Sequence, residues 1–259
     1  MGILSFAYSA IVYLFFLAVF GYTIGFVADL AWLPKTIDSG VAGDRVVAVI
    51  IDLALLGIFA VQHSVMARRG FKRWWTRIVP ESAERSTYVL AASLAVVLML
   101  WQWRPLPDLV WNVDAASMRA LLVGLSMLGW IVLLAATFLI NHFELFGLHQ
   151  AYARLRHTTF SPPQFRTPGL YRMVRHPIYL GFLLAFWATP SMSQGHLLFA
   201  IATTAYIFIG IWFEERDLVA QFGAAYRAYR RRVPMILPLP LARGGAPREN
   251  EGAEQSMTH

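Results

Sequence analysis

The sequence contains no cysteine among its 259 residues. Disulfides, catalytic thiolates and cysteine-ligated metals are therefore excluded, and any sulfur nucleophile has to come from a substrate. Charged residues are also scarce, because they make up 14% of the chain, whereas soluble domains carry about 25%. Hydrophobic residues make up 58% of the chain and the mean hydropathy is +0.53. This composition indicates an integral membrane protein.

Several motifs of well-known enzyme classes are missing as well. The chain has no Walker phosphate loop, no strand-borne Gly-x-Gly-x-x-Gly and no hydrolase nucleophile elbow. No His-x-x-x-His or Glu-x-x-His spacing places two metal ligands on one helix, so we expect no metal site. The net charge of +7 is concentrated in a few loops. That distribution favours membrane topology over nucleic-acid binding.

The chain divides into apolar segments separated by short polar stretches. There are six: 3–28, 46–66, 86–103, 117–140, 178–190 and 196–213. The first four are long enough to cross a hydrocarbon core of about 30 Å. The fifth is short, and it is either a tilted span or half of a re-entrant hairpin that turns at 190–195. We predict an all-α, polytopic transmembrane bundle of five to six spans, in which the last two form a short hairpin.

The basic residues predict the orientation of this bundle. Three stretches, 68–85, 151–176 and 227–248, hold 17 of the 22 lysines and arginines. Alternate counting of spans places these stretches on one side, and the positive-inside rule makes that side cytoplasmic, with both termini inside. We expect a bacterial inner-membrane protein with one transmembrane domain over 1–240. Residues 70–83 read as an amphipathic surface helix and residues 241–259 as a disordered tail.

Polar side chains recur where the apolar segments meet the basic side. Carboxylates at membrane depth cost several kcal/mol, so they mark a functional site by default. Lateral packing of the spans would bring these groups into one cavity that opens on the basic side. Asp52 lies eleven residues before His63 and shares its helical face, but its role stays open. The side chains at the basic side are His63, His142, Glu144, His176, Glu214 and Glu215.

Two motifs around the last hairpin carry a family resemblance. The first, G-L-Y-x-x-V-R-H-P-I-Y-x-G, begins at residue 169. The second, E-E-x-x-L-x-x-x-F-G-x-x-Y-x-x-Y-x-x-x-V-P-x-x-x-P, begins at residue 214. Residues 163–238 therefore resemble the C-terminal half of the integral-membrane methyltransferases, which include isoprenylcysteine carboxyl methyltransferase and phospholipid methyltransferases. The stretches 62–64 and 141–147 resemble those of methanethiol S-methyltransferases and NnrU-type proteins.

The resemblance implies S-adenosylmethionine as cofactor, with S-adenosylhomocysteine as product, bound in a cytoplasmic pocket formed by residues 163–238. Residue type adds Phe165 to the expected contacts, as a ring that could stack on the purine. Arg175 is expected to orient His176 or to meet the carboxylate of the cofactor. By motif position, the contacts that the resemblance implies are Tyr171, His176, Tyr179 and Glu214.

The acceptor expected from the resemblance is a small volatile thiol. The isoprenylcysteine enzymes carry an arginine one turn before the Glu-Glu pair, near the carboxylate that they methylate, and Gly210 stands there in this chain. The chain as a whole resembles enzymes that convert methanethiol to dimethyl sulfide. Candidate bases for removing the thiol proton are His63, His142 and Glu144, with Glu215 a weaker choice.

Two alternatives to this interpretation stay open. The first is a methyltransferase that acts on a lipid or a lipidated peptide, for which a long lateral groove between spans would be expected. The second is a non-enzymatic NnrU-like transporter or assembly protein, which would not need a cofactor loop or paired glutamates. Besides its substrate, the bilayer is the one partner expected, and the sequence leaves the oligomeric state open.

Overall fold

A computed structural model of the chain describes residues 2–158 and 165–238. The predicted cofactor-loop residues 163 and 164 and the predicted tail 241–259 lie outside these ranges. The described chain is almost entirely helical, with one 3₁₀ turn at Gly169–Arg172 and two short strands, β1 at Leu109–Asn112 and β2 at Ser191–Ser193. The α-helices are α1 Gly2–Val27, α2 Arg45–Ala67, α3 Arg69–Trp75, α4 Glu81–Gln102, α5 Ala116–Ile140, α6 His142–Leu145, α7 Leu148–Leu155, α8 Pro177–Trp187, α9 Gln194–Phe222 and α10 Ala224–Arg232.

Five helices within the described residues are long and apolar enough to cross a membrane, namely α1, α2, α4, α5 and α9. This confirms the predicted polytopic all-α bundle. Helix α9 continues nine residues past the predicted end at 213, so Glu214 and Glu215 lie inside a helix rather than after it. The added residues are mostly good helix formers such as glutamate, leucine and alanine, and the helix stops at Gly223, whose φ is positive.

The fifth apolar segment forms α8, which has only 11 residues and is about 16 Å long. The chain continues from α8 into β2, which pairs antiparallel with β1. Strand β1 joins α4 to α5, so it lies at the end of the bundle opposite the basic loops. Extended chain covers about 3.3 Å per residue, and its polar groups are satisfied by the partner strand, as a membrane requires. Helix α8 and β2 together therefore reach the far end, which supports the short-span alternative.

Close packing against α5 fixes the position of α8. Gly129 and Gly181 face each other, and a Cβ added to either glycine would lie 2.6 Å from the backbone of the opposite helix. Small residues at such a crossing let two helix backbones approach within a membrane. Pro177 occupies the first turn of α8, where its missing N–H costs nothing. The preceding residue, His176, is thereby held at a fixed place inside the bundle.

The corner between α6 and α7 is equally tight. Gly147 has φ of 88°, which favours glycine, and an added Cβ would lie 2.4 Å from Ser86 Oγ on α4. The Ser86 hydroxyl donates to Ser9 Oγ on α1 at 2.7 Å. Helix α3 starts at the predicted surface segment but is shorter than expected, and it groups Trp74 and Trp75 with a phenylalanine ring.

Candidate active site

His176 meets the two glutamates of α9, as the sequence predicted. Its imidazole is buried, being 4% exposed. Nε2 lies 3.2 Å from Glu215 Oε1, and Nδ1 lies 3.7 Å from Glu214 Oε2. The two ends of the last hairpin are therefore joined by one imidazole that faces two carboxylates.

Glu215 anchors this end of the molecule. Its carboxylate accepts a hydrogen bond from Arg175 Nε at 2.7 Å and lies 3.6 Å from Arg230 Nε. Arg175 also donates through Nη1 to the carbonyl of Val233 at 2.6 Å. A buried carboxylate is stable only with such partners. These contacts occupy the Glu215 oxygens, so the geometry favours an anchoring role over the predicted role as a base.

The C-terminal segment completes the anchor through its backbone. The backbone N–H groups of Arg175 and His176 donate to the carbonyls of Pro234 and Met235 at 2.9 and 3.1 Å. The side chain of Ile236 then packs between α8 and α9. These contacts hold residues 233–236, which we call the strap, across the start of α8.

Glu214 differs from Glu215 because its side chain is 46% exposed. Tyr179, one turn along α8 from His176, interacts with the Glu214 carboxylate, and the phenols of Tyr206 and Tyr88 lie within electrostatic range of it. A Cβ added at Gly210 would have the Tyr179 hydroxyl as its nearest neighbour, at 3.7 Å. Glu214 and Tyr179 therefore lie together where α8 and α9 face each other.

Aromatic side chains from three segments cover the anchor. Phe165 packs its ring within 5.2 to 5.9 Å of Phe222, Tyr226 and Tyr229. The Tyr229 hydroxyl donates to the carbonyl of Tyr171 at 2.6 Å. These contacts bring Phe165 and the backbone of Tyr171, both predicted to meet the cofactor, to Tyr229 of α10.

Tyr226 supplies a hydroxyl with no hydrogen-bond partner in the described residues. The side chain is 2% exposed, and it interacts electrostatically with Glu215, Arg175 and Glu214. Burial raises the pKa of Tyr226, and it raises the pKa of Tyr229 to about 12, so both hydroxyls are protonated donors near neutral pH. A buried donor left unpaired beside charged groups indicates a place for a ligand.

His63, at the end of α2, meets a tyrosine. The Tyr88 hydroxyl on α4 lies 3.0 Å from His63 Nδ1 and 2.8 Å from Nε2. One face of the imidazole stacks on Phe59 at 5.2 Å, and Tyr206 approaches it edge-on at 6.4 Å. The Tyr206 hydroxyl lies 3.2 Å from Ser64 Oγ. Tyr206 lies one helical turn from Gly210 on α9, and Gly210 faces the Tyr179 hydroxyl, so the His63 pair and Tyr179 flank the same stretch of α9.

His142 lies in a different environment. Its Nε2 is 2.8 Å from the Tyr13 hydroxyl and its Nδ1 is 2.8 Å from Thr137 Oγ1. Thr137 already donates its proton to the carbonyl of Leu134 at 2.6 Å, so its oxygen accepts from Nδ1–H and leaves Nε2 to accept from Tyr13. The ring also stacks on Phe138 with centroids 4.0 Å apart. Burial lowers the pKa of His142, which favours this neutral form.

The contacts of Glu144 and Asp52 do not connect them to Glu214 and Tyr179 or to the His63 pair. Glu144 Oε2 accepts from Asn141 Nδ2 at 2.5 Å. Asp52 is fully buried, and its Oδ1 accepts from the backbone N–H of Arg104 at 2.8 Å. Lys35 is a further charged neighbour. Eleven residues of helix separate Asp52 from His63 by about 16 Å, so Asp52 belongs to the opposite end of the bundle.

Sequence reasoning missed four tyrosines of the candidate site, namely Tyr88, Tyr206, Tyr226 and Tyr229. Tyr88 and Tyr206 lie singly within apolar helices, and a lone tyrosine in a span is an ordinary packing residue. Tyr226 and Tyr229 do occur within the second motif. Their spacing of three residues puts them on one face of α10, and this spacing was the available signal.

A family model described as NnrU protein matches residues 52–231 of the chain. The chain belongs to the NnrU family. The matched range contains both the His63–Tyr88 pair and the ion-pair cluster of His176, Glu214 and Glu215. Both clusters thus lie in the part of the chain that defines the family.

Several relatives carry the same functional name. Methanethiol S-methyltransferase from Mycobacterium tuberculosis is 56% identical, over 92% of this NnrU-family chain and 97% of its own length. Methanethiol S-methyltransferase 1 from Bradyrhizobium diazoefficiens is 54% identical, over 91% and 82%. A more distant relative, nurim from Bos taurus, is 28% identical over 74% of each chain. No solved structure shows significant similarity to the chain.

Proposed function

We propose that this chain is a membrane-embedded methyltransferase that uses S-adenosylmethionine to convert methanethiol to dimethyl sulfide. Relatives named methanethiol S-methyltransferase, at 49 to 56% identity over most of the chain, support this reaction. The observation that carries the proposal is the position of the Tyr179 hydroxyl beside Gly210 on α9, one helical turn from Tyr206, whose ring approaches His63. A donor site and an acceptor site thereby adjoin within one bundle.

The residues around Glu214 fit S-adenosylmethionine. When bound, this cofactor supplies an electrophilic methyl group on a positively charged sulfur. The half-exposed Glu214 carboxylate can accept from hydroxyl or ammonium groups of the ligand, and the unpaired Tyr226 hydroxyl can donate to it. Phe165, which packs against Tyr226, offers a ring nearby for the purine, and the Tyr229 hydroxyl holds the backbone of Tyr171 close by. His176 and Arg175 hold Glu215 and thereby position α9.

The acceptor side suits a small neutral thiol. The thiolate, not the thiol, attacks a methyl carbon, so the site needs a group that takes the proton. His63 contacts rings and a hydroxyl rather than a carboxylate, and it serves as this proton acceptor. Gly210 stands beside Tyr179, where the isoprenylcysteine enzymes carry an arginine, so this chain lacks that anchor for a carboxylate substrate.

The site lies at the end of the bundle that carries the basic loops. S-adenosylmethionine is a water-soluble, charged cofactor, so this end has to face the compartment that contains it. We therefore propose that the basic end and both termini are cytoplasmic, in line with the positive-inside rule. Methanethiol and dimethyl sulfide are apolar enough to pass through the bilayer.

A combined binding and turnover experiment tests this function. Purified protein in detergent is heated with and without S-adenosylhomocysteine, and the same preparation is given S-adenosylmethionine and methanethiol while dimethyl sulfide is measured in the headspace. Ligand that binds the native state raises the apparent melting temperature, and we expect both this rise and product formation. Absence of both results would contradict the proposal and favour a transporter or assembly protein.

One observation supports a second candidate, an acceptor with a long apolar chain. A groove of about 420 Å³ runs along α8 and α9, between residues such as Leu183, Phe208 and Ile236. An acyl or prenyl chain would fit its apolar lining. In the turnover assay, methylation of a lipidated thiol or carboxylate in place of methanethiol would favour this candidate.

A further inference from the structure

The Tyr88 hydroxyl lies within hydrogen-bonding distance of the His63 imidazole. It is 3.0 Å from Nδ1 and 2.8 Å from Nε2, and so lies out of the plane of the ring. The other sides of the imidazole are covered by Phe59 and Tyr206. Tyr206 lies one helical turn before Gly210 on α9, and Gly210 faces the Tyr179 hydroxyl. The Tyr88 hydroxyl therefore offers a hydrogen-bonded route to His63.

We propose that Tyr88 relays the proton of the thiol substrate to His63, an inference that rests on the function proposed above. The thiol S–H bond breaks and its proton passes to the phenol oxygen, while the phenol O–H proton passes to an imidazole nitrogen. The thiol sulfur keeps its electron pair and forms the new bond to the methyl carbon, whose former bonding pair stays with the donor sulfur. Tyr88 ends neutral, and His63 ends as imidazolium and later releases the proton to water.

The geometry of Tyr88 suits such a relay. A hydroxyl accepts and donates at the same time, and both nitrogens of His63 lie within 3.0 Å of it. The Arg85 guanidinium lies 4.8 Å from the centre of the Tyr88 ring and is fixed by a 2.7 Å hydrogen bond from Nε to the carbonyl of Leu145. A cation in this position stabilises negative charge that develops on the phenol oxygen.

Other titratable groups also face this pair. Arg85 and Glu84 face it from α4, and Arg85 interacts with both His63 and Tyr88. Tyr206 faces it from α9 and Tyr179 from α8. A Glu84→Gln variant separates the contribution of this carboxylate to the rate from that of His63.

The test compares Tyr88→Phe, His63→Asn and the double variant. General-base catalysis contributes about 10²- to 10⁴-fold, and we expect each single variant to lose kcat for methanethiol within that range. Groups that act as one unit are not additive, so the double variant should lose no more than either single one. With a more acidic aromatic thiol, already thiolate at the assay pH, both single variants should recover most of the wild-type rate.

Tyr8→Phe is the matched control. Tyr8 on α1 makes an equivalent hydroxyl bond of 3.0 Å to Thr87, the residue next to Tyr88, and its removal should leave both rates unchanged. Normal S-adenosylhomocysteine affinity in Tyr88→Phe shows that the fold is intact. The relay is overturned if Tyr88→Phe loses less than about tenfold, if losses multiply in the double variant, or if the acidic thiol is not rescued. Wild-type protein that methylates neither thiol instead removes the proposed function, and the relay with it.

Discussion

In the sequence, His63 and His142 both stand at the end of an apolar segment, but their environments in the fold differ. Each ends a span at the basic side, and the sequence made them equal candidates for the base. Both nitrogens of His142 hydrogen-bond to protein side chains, those of Tyr13 and Thr137, and its ring stacks on Phe138. His63 shares one hydroxyl between its two nitrogens.

This difference distinguishes a histidine that is available to a ligand, His63, from a histidine that holds helices together, His142. A histidine whose donor and acceptor are both satisfied within the protein holds helices together, as His142 holds α1 against the end of α5. A histidine whose nitrogens do not each have their own protein partner, such as His63, has hydrogen-bonding capacity left for a ligand. The same contrast separates the fully paired Glu215 from Glu214.

Exchanging each histidine for asparagine should produce the largest effect. We expect His63→Asn to reduce kcat for methanethiol by about 10²- to 10⁴-fold, with unchanged affinity for S-adenosylhomocysteine. His142→Asn should retain kcat within a few-fold while lowering the apparent melting temperature. Headspace dimethyl sulfide and thermal scans on both variants provide the measurements. The reverse pattern, with turnover lost only in His142→Asn, would make His142 the base.

Asp52 sharpens the comparison because it lies on the same helix as His63 but at the other end. Asp52→Asn keeps an oxygen that can accept from the Arg104 backbone and loses the charge facing Lys35. We expect a loss of about 1 kcal/mol in stability, which is roughly 2–4 °C in melting temperature for a chain of this size. Cofactor affinity and kcat should stay at wild-type values. A kcat loss comparable to that of His63→Asn would show that the helical face between them works as one unit.

The smallest expected effect is a pH dependence of stability at His142. Burial lowers the pKa of His142 in the folded protein, whereas an unfolded histidine titrates near 6.5. Below that pH the unfolded state binds more protons than the folded state, so His142 destabilises the fold as the pH falls. The drop in melting temperature from pH 7.5 to 5.5 should therefore be smaller in His142→Asn than in wild type. An unchanged drop would show that His142 is not held neutral.

Much of the fold followed from hydrophobic runs and charge placement. The long spans and the meeting of His176 with Glu214 and Glu215 were predictable, since a hairpin of limited length brings its two flanks together. The ribbon of β1 and β2 was not predictable, because a strand of three or four residues has too little periodicity to separate it from a turn. The continuation of α9 past residue 213 was missed because the end of the segment was predicted from its loss of hydropathy, whereas the residues that follow have good helix propensity.

The roles within the site were less predictable than its location. Which glutamate is paired depends on Arg175 and Arg230, whose positions are set by α10 and the strap after it. Likewise, the partner of His63 comes from a helix 25 residues away in sequence. Such contacts arise from lateral packing of spans, which one sequence does not specify residue by residue.

Calorimetric titration of S-adenosylhomocysteine into Glu214→Gln, with Glu144→Gln as the matched control, tests the central claim most directly. Glutamine keeps the size of Glu214 but removes its charge, and a hydrogen bond to a charged group contributes about 1.5–3 kcal/mol. The account predicts that affinity falls by roughly 10- to 150-fold in Glu214→Gln and is unchanged in Glu144→Gln. Equal, wild-type affinity in both variants would contradict it.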